Sequence, residues 1–495
     1  MKRYFIFLIF CLCCAEKPRA QNPENRVLTP TAMQQDFTYL RKILEDTHPG
    51  LYAHQSKDGM QYKMDSLYAL LNAPMSFYKF YGIIANLISE IQCEHTSCSP
   101  YKDEVFQTQV RQYKLIPFIL HFSNYKAYVA INRTKDATIH AGDQIVSINR
   151  HPIDSIEKAL FKYIPAEAGI ITSRERMLSN GMAFNILYYL FIERPEYFNI
   201  VFKSANGELK ERRFANELTL KENDKNIFGN AANKKVLAVI TNNEKEAKNP
   251  WSLRLIKDKQ TAVLTVREFS GNKKKMYDTF AQAFAILKKE NIANLIIDLA
   301  YNPGGDEACA AELFSYLINK PTKFMMAEYT ITDNDDYFKM SDLPSEVLTN
   351  KARFLEPEKN GKFMVREKTQ GELPIVEPKA TRFTGKIYFC INGGTASAAS
   401  TLAAVAKSNN LGTFVGEESG GSFFGGGSSV GLNLILPNSG ITAHTSIVYS
   451  VFATQGDYDK NRGVLPDYQF TPTFDELLSG NKSGINFTLK LIEKK

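Results

Sequence analysis

The spacing of apolar residues changes along the chain and divides it into segments of different structure. Near the N-terminus Phe37, Leu40, Ile43 and Leu44 recur at helical spacing. Strand-like apolar runs follow, then a polar and charged stretch, and finally alternating strand and helix patterns. We therefore predict a multidomain α/β protein with an N-terminal helical domain (28–112), a β domain (113–215), a connector (216–250) and an α/β domain (251–495).

The α/β domain carries the pattern of parallel strands joined by helices. An apolar run at 261–266 is followed by an amphipathic stretch at 274–289 and a second apolar run at 294–299. Strand, helix and strand in this order are typical of a parallel βαβ unit. The long polar stretch 320–384 interrupts the pattern, and we predict that it is an insertion that covers or flanks the functional site.

A third apolar run, 387–391, ends at a glycine turn and leads into an alanine-rich stretch that predicts a helix to about residue 408. Ser397 falls in the first turn of this helix. The free N–H groups and the positive dipole end of a helix N-terminus can stabilise a developing oxyanion, so a nucleophile suits this place. Ser and Thr are also the preferred helix caps, and the alternative is that Thr395 or Ser397 only caps the helix.

The loop after the strand at 294–299 is also glycine-rich and leaves a bare backbone that a substrate can approach. The segments 298–305 (Asp-Leu-Ala-Tyr-Asn-Pro-Gly-Gly) and 395–398 (Thr-Ala-Ser-Ala) resemble two motifs of the C-terminal processing peptidases, also called tail-specific proteases. The resemblance implies a catalytic domain of the ClpP/crotonase-like type with ββα units. It further implies that Ser397 is the nucleophile and that the backbone N–H groups of Gly305 and Ala398 form the oxyanion hole.

Glycines are also the candidates for the substrate groove. Gly304 adjoins the predicted oxyanion donor, and Gly420 and Gly421 begin a glycine-rich loop that we expect to line the groove. A phosphate-binding role for this loop is disfavoured because no P-loop lysine follows it.

A serine nucleophile needs a base, and the resemblance offers two kinds. The better-known branch of the family uses a lysine, but the corresponding position is Ser422, and no Lys or Arg occurs between Lys407 and Lys460. His95 lies in a Glu-His-Thr segment that resembles the Gly/Asp-His-Thr segment of the tricorn-core-like branch, in which the histidine is the general base. His444 is the second candidate base.

The sequence leaves open which acid orients the base. In the family this acid lies just before a Gly-Val-x-Pro-Asp segment, which is 463–467 here, and the aligned residue is Lys460. Asp459 and Asp457 are neighbouring substitutes, and Glu418 is a further candidate.

The β domain contains a segment, 140–153, that resembles the Gly-Asp-x-Ile-x-x-Ile-Asn-Gly motif of PDZ domains. Such domains receive an extended peptide as an added strand. Arg150 stands where the motif has glycine, which puts the turn geometry in question. The alternative is a small β domain without a ligand.

The first 20 residues have a basic start and a short apolar core, as in a signal peptide, and predict a periplasmic or extracellular protein. Lipidation at Cys13 or Cys14 is the less favoured alternative. No later apolar run is long enough for a membrane helix. Cys93 and Cys98 could form a disulfide, whereas with His95 alone they make a weak zinc site, so we expect no metal and no cofactor.

Composition and charge exclude some other classes. The chain has 495 residues, 44% of them hydrophobic and 23% charged, and a formal charge of +7 that is too mild and scattered to indicate a nucleic-acid partner. No Gly-x-Ser-x-Gly elbow surrounds Ser397, which disfavours an α/β-hydrolase esterase. We predict a serine endopeptidase acting on polypeptides. The alternative is an inactive relative that binds peptides or hydrophobic ligands.

Overall fold

The computed structural model describes residues 26–101, 110, 112–216, 220–239, 250–366, 375–477 and 483–494. The predicted leader, with Cys13 and Cys14, lies outside the described residues.

The α-helices of the described residues are α1 (Pro30–Thr47), α2 (Lys57–Ala69), α3 (Phe77–Glu90), α4 (Ile153–Phe161), α5 (Ile171–Leu178), α6 (Ala183–Phe191), α7 (Leu220–Gly229), α8 (Lys273–Lys289), α9 (Glu307–Ser315), α10 (Asp335–Phe338), α11 (Ser345–Thr349), α12 (Lys351–Phe354), α13 (Ala398–Ser408), α14 (Phe474–Leu477) and α15 (Ser483–Glu493).

The strands are β1 (Val27–Leu28), β2 (Met75–Ser76), β3 (Ser97–Ser99), β4 (Phe118–Ser123), β5 (Lys126–Asn132), β6 (Gln144–Ile148), β7 (His151–Pro152), β8 (Tyr197–Lys203), β9 (Leu209–Ala215), β10 (Trp251–Ile256), β11 (Thr261–Val266), β12 (Asn294–Asp298), β13 (Thr322–Lys323), β14 (Met325–Thr330), β15 (Leu355–Pro357), β16 (Phe363–Val365), β17 (Ile375–Val376), β18 (Lys386–Ile391), β19 (Thr413–Gly416), β20 (Gly425–Gly427), β21 (Gly431–Ile435), β22 (Thr442–Ser446), β23 (Tyr449–Phe452) and β24 (Tyr468–Gln469).

Helices α1 to α3 form the N-terminal helical part that the apolar spacing predicts. Thr29 caps α1 by accepting a hydrogen bond from the N–H of Ala32, and Pro30 occupies the first turn, where a missing N–H costs little. The helix therefore begins earlier than the apolar pattern alone indicates. The buried faces of these helices share one hydrophobic core with the β21–β22 hairpin, so the N-terminal part packs directly on the α/β domain.

The β domain is built on an antiparallel sheet in the order β4-β5-β6-β8-β9, with β7 paired to β6. The β6–β7 turn holds Asn149 at φ +48° and Arg150 at φ +69°, both in the left-handed region. Arg150 thus adopts the backbone that the PDZ motif assigns to glycine, at a cost of roughly 1 kcal/mol. The turn forms with arginine in that position.

Strand β4 lies at the edge of this sheet, and helices α5 and α6 hydrogen-bond to it. Asn185 donates its side-chain amide to the carbonyls of Ile116 and Phe118, and Ser179 accepts the N–H of Phe122. A peptide that added to this edge would displace these bonds. The assignment of this domain to the PDZ class remains a prediction.

The α/β domain is organised around a six-stranded sheet in the order β10-β11-β12-β18-β19-β24, in which every pair is parallel except β10–β11. Helix α8 joins β11 to β12, and helix α13 joins β18 to β19, which confirms the predicted βαβ arrangement. Because β12 and β18 are parallel neighbours, the loops that follow Asp298 and Ile391 meet at one edge of the sheet.

The predicted insertion supplies strands to a second sheet beside that edge. Its strand β14 pairs with β23 in a five-stranded antiparallel sheet ordered β15-β16-β14-β23-β20. The run 441–451 is divided between two sheets. Strand β22 pairs with β21 and β3, whereas β23 belongs to the five-stranded sheet. The predicted connector includes helix α7.

Among the described helices, none combines the length and the apolar character needed to cross a bilayer.

Candidate active site

The loops after β12 and β18 are tied together by asparagine side chains and backbone bonds. Asn392 accepts a hydrogen bond from the N–H of Tyr301 at 2.9 Å, and the carbonyl of Asn302 accepts from the N–H of Ala396 at 3.0 Å. Asn302 also donates its side-chain amide to the carbonyl of Val266. The two glycine-containing turns are therefore held as one rigid unit.

Ser397 lies where the second of these loops enters α13, and its backbone is strained. Its φ of +48° and ψ of −131° fall where residues other than glycine are rare, at a cost of roughly 1–3 kcal/mol. Ser397 occupies the N-cap position, but its side chain makes no capping hydrogen bond. The Thr395 hydroxyl instead donates to the carbonyl of Leu299 at 2.9 Å. Neither residue acts as a simple cap, and the Ser397 hydroxyl is available for chemistry.

Gly304 and Gly305 lie so close to neighbouring atoms that neither position has space for a Cβ atom. A Cβ on Gly304 would lie 2.6 Å from the Cβ of Ser397 and 2.8 Å from the N of Ala398. A Cβ on Gly305 would lie 2.5 Å from the carbonyl oxygen of Phe269. Among the described residues, the N–H groups of Gly305 and Ala398 donate no hydrogen bond, so both can bind an oxyanion.

His95 reaches this turn from the N-terminal part, on the short segment between α3 and β3. Strand β3 pairs with β22 of the α/β domain and so carries the segment into place. Thr96 is fully buried, with its hydroxyl 3.0 Å from Nε2 of His48 and 3.4 Å from the N–H of Ser446. These contacts fix the position of Thr96, the residue that follows His95.

His95 and Ser397 line the same cavity, which has a volume of about 80 Å³. Gly305, Gly421 and the glycine strand β20 also line it. Within the described part of the chain, Nδ1 of His95 is buried and has no hydrogen-bond partner, and no bond joins the His95 and Ser397 side chains. Catalytic hydrogen bonds are often long or absent without substrate and tighten only in the substrate complex, so the missing bond does not exclude the pair.

The cavity is acidic. Besides His95, the ionisable side chains among its described lining residues are four glutamates: Glu94, Glu167, Glu307 and Glu328. The described lining contains no Lys or Arg.

Glu94 contacts both members of the predicted pair. Its Oε1 lies 3.9 Å from Nδ1 of His95 and accepts the N–H of Ser397 at 3.1 Å. Burial raises the pKa of Glu94 and the Glu167 carboxylate adds to this, while His95 and the Ser397 N–H act in the opposite direction. Glu94 is adjacent to His95 in the sequence but far from 463–467, the segment before which the family motif places the acid.

The structure places the predicted acids elsewhere. Glu418 forms two 2.8 Å bonds to Arg462 and accepts the N–H of Gly463. Asp459 is exposed and accepts the N–H of Asn461 at 2.9 Å. Asp457 is exposed as well. None of the three carboxylates lines the cavity that His95 shares with Ser397. Each instead makes a local hydrogen bond or faces solvent.

The second candidate base is also outside the cavity. His444 lies on β22, and its Nδ1 is 3.1 Å from the side-chain oxygen of Asn433. Strand β22 pairs with β3 and so supports the segment that contains His95, but the His444 ring does not line the cavity.

The predicted groove glycines divide into two roles. Gly421 lines the cavity, whereas Gly420 donates its N–H to the carbonyl of Thr395 at 2.8 Å and supports the turn that carries Ser397. Ser422, at the position of the lysine of the other branch, also lines the cavity. That position thus faces the site but carries no cation.

Cys93 and Cys98 are free thiols in the structure. Within the described ranges, no group of three or more His, Cys, Asp or Glu side chains is arranged to hold a metal ion.

Comparison with known proteins gives a family match and two structural likenesses. The sequence profile of peptidase family S41 matches residues 260–470. The crystal structure of mature CPAF is similar over 94% of this chain and 97% of that chain, at 15% identity and a TM-score of 0.58. A crystal structure of a CPAF mutant gives a TM-score of 0.61 at 14% identity, over 94% and 97% of the two chains. No curated protein matches the chain by sequence.

The structural likeness shows a shared fold, and the family profile adds the class of protein: this chain is a serine-type peptidase. Its segment 260–470, which contains the Ser397 turn and both glycine loops, matches peptidase family S41.

Proposed function

We propose that the protein is a secreted or periplasmic endopeptidase in which Ser397 is the nucleophile and His95 the general base. The observation that carries this proposal is that His95, from the N-terminal part, and Ser397, from the α/β domain, line one cavity together with Gly305. The leader-like start of the sequence supports the location.

The proposed reaction is acyl transfer. The Ser397 oxygen attacks the peptide carbonyl carbon as His95 removes the hydroxyl proton, and the N–H groups of Gly305 and Ala398 bind the resulting oxyanion. His95 then gives its proton to the leaving amine, and water, activated by the same ring, releases the acyl group. Nδ1 of His95 faces Glu94, so Nε2 is the nitrogen assigned to Ser397.

In this mechanism Glu94 is the acid that orients the base, the role for which the sequence offers Asp459 or Glu418. A carboxylate 3.9 Å from the ring stabilises the imidazolium that forms in the transition state. The N–H of Ser397 holds this carboxylate in position, which links the acid to the nucleophile turn.

The test is Ser397→Ala, assayed with an unfolded protein substrate and with a fluorophosphonate probe. We expect hydrolysis to fall by at least about 10⁴-fold and probe labelling to disappear, because the nucleophile is lost. Ser408→Ala, at the far end of α13, is the matched control and should retain activity. Hydrolysis that survives Ser397→Ala contradicts the assignment. A wild-type protein that neither cleaves nor labels would favour the ligand-binding alternative.

A further inference from the structure

A short segment of the β domain docks against the segment that carries His95. The N–H of Ala168 donates to the carbonyl of Gln92 at 3.1 Å, and the Glu167 carboxylate accepts the N–H of Glu94 at 3.2 Å. Both Ala168, at φ +51°, and Gln92, at φ +59°, have left-handed backbones. Strained non-glycine residues persist where surrounding contacts determine the backbone, as they do at this junction.

The Glu167 carboxylate is buried and bonded at both oxygens. Glu167 is only 3% exposed, its Oε1 lies 3.2 Å from Nε2 of His54, and its Oε2 accepts from Glu94. His54 is also buried at its side chain, and its Nδ1 lies 3.3 Å from the side-chain oxygen of Asn461. A buried carboxylate that loses a partner is costly, so this arrangement resists separation of the groups it joins.

The same carboxylate forms part of the catalytic cavity. Glu167 lines the cavity with His95 and Ser397, and a Cβ on Gly426 would lie 2.9 Å from its Oε1. The glycine strand β20 therefore leaves the space that this side chain fills.

We propose that Glu167 is a positioning residue for the base: it bridges His54 and the backbone of Glu94 and so sets the position of His95. This inference rests on the proposed function. Thr96 and strand β3 hold the segment after His95, and Glu167 holds the residue before it. A general base must be placed to within a fraction of an ångström, so freeing one side of the segment slows the reaction without removing a reacting group.

The decisive variant is Glu167→Ala. We expect kcat to fall about 10- to 100-fold while KM changes little, because the base is misplaced but the cavity remains. A second measurement is independent of catalysis: hydrogen–deuterium exchange of a peptide covering 92–96 should show loss of protection, since the Glu94 amide loses its acceptor.

Glu167→Gln is the conservative variant. Its amide can accept from Glu94 and donate to His54, whose ring has a suitable tautomer. We expect kcat within about threefold of wild type. If the alanine variant does not fold, Glu167→Asp replaces it, because the shorter side chain cannot reach both partners.

Glu175→Ala is the matched control. Glu175 is also a buried carboxylate of the β domain that accepts a backbone N–H, from Tyr125 at 2.8 Å, but it does not line the catalytic cavity. It should lower stability without lowering kcat or exposing 92–96 to exchange.

Three results would overturn the inference: unchanged kcat in folded Glu167→Ala, equal losses of kcat in the Glu167 and Glu175 alanine variants, or full protection of 92–96 without Glu167. If the wild-type protein cleaves no substrate, the proposed function fails, and the exchange experiment still decides whether Glu167 holds the segment.

Discussion

Gly304 lies against the turn that carries Ser397, with no space for a side chain. Its φ is +99°, and a Cβ would approach both Ser397 and the backbone of Ala398. The glycine in the motif thus has a steric reason as well as a conformational one. The sequence predicts that a substrate can approach the backbone of this loop closely, but not that Ser397 itself packs against Gly304.

Gly304→Ala should therefore destabilise the protein by about 3 kcal/mol or more and abolish hydrolysis, because the turn must shift. Gly271→Ala is the control: Gly271 has a similar φ of +97° with nothing within 4 Å of its added Cβ. It should cost only about 1–2 kcal/mol and leave activity intact. Equal losses in the two variants, measured by denaturant unfolding and peptide hydrolysis, would show that close contact is not the cause.

Helices α4 and α5 bring two buried carboxyl groups together in the β domain. Glu157 is fully buried and Glu175 is 6% exposed. Burial, followed by the charge of Glu175, raises the pKa of Glu157 from 4.5 to about 9. The sequence pattern predicts a helix at 155–162, close to α4, but it predicts neither α5 nor the approach of the two acidic residues.

Because the folded state binds a proton at Glu157 that the unfolded chain releases, stability is greatest below about pH 4.5 and is lost as the pH rises toward about 9. This group alone contributes a slope of up to about 1.4 kcal/mol per pH unit in that window. Thermal unfolding of wild type and Glu157→Gln between about pH 6 and about pH 8.5 measures this slope, because glutamine cannot titrate and the variant lacks the contribution. Parallel pH profiles for the two proteins would contradict the prediction.

The N-terminal part and the α/β domain also meet at a joint whose residues do not line the cavity. Asp36 on α1 is fully buried and accepts hydrogen bonds from the N–H groups of Asn438 and Ser439 at 2.8 and 2.7 Å. Arg26 donates to the carbonyls of the same two residues. This joint helps to fix the unit that carries His95 relative to the unit that carries Ser397.

Asp36→Ala should destabilise the whole protein by about 2–4 kcal/mol, because two buried backbone N–H groups lose their acceptor. Asp58→Ala, at an exposed position in the first turn of α2, is the control and should cost less than about 1 kcal/mol. Denaturant unfolding measures both. Similar midpoints for the two variants would mean that Asp36 does not hold the joint.

The local order of strands, glycine turns and helices follows from the sequence, since apolar periodicity and backbone requirements act over a few residues. The turns at Gly304 and Ser397 are found in this way. The sequence also excluded the lysine base through Ser422. Which acid meets the base could not be found in the same way: Asp459 is near the motif in sequence but exposed in space, whereas Glu94 and Glu167 reach the cavity through contacts between separate units. Only the packing of these units decides such distances, because no local preference specifies them.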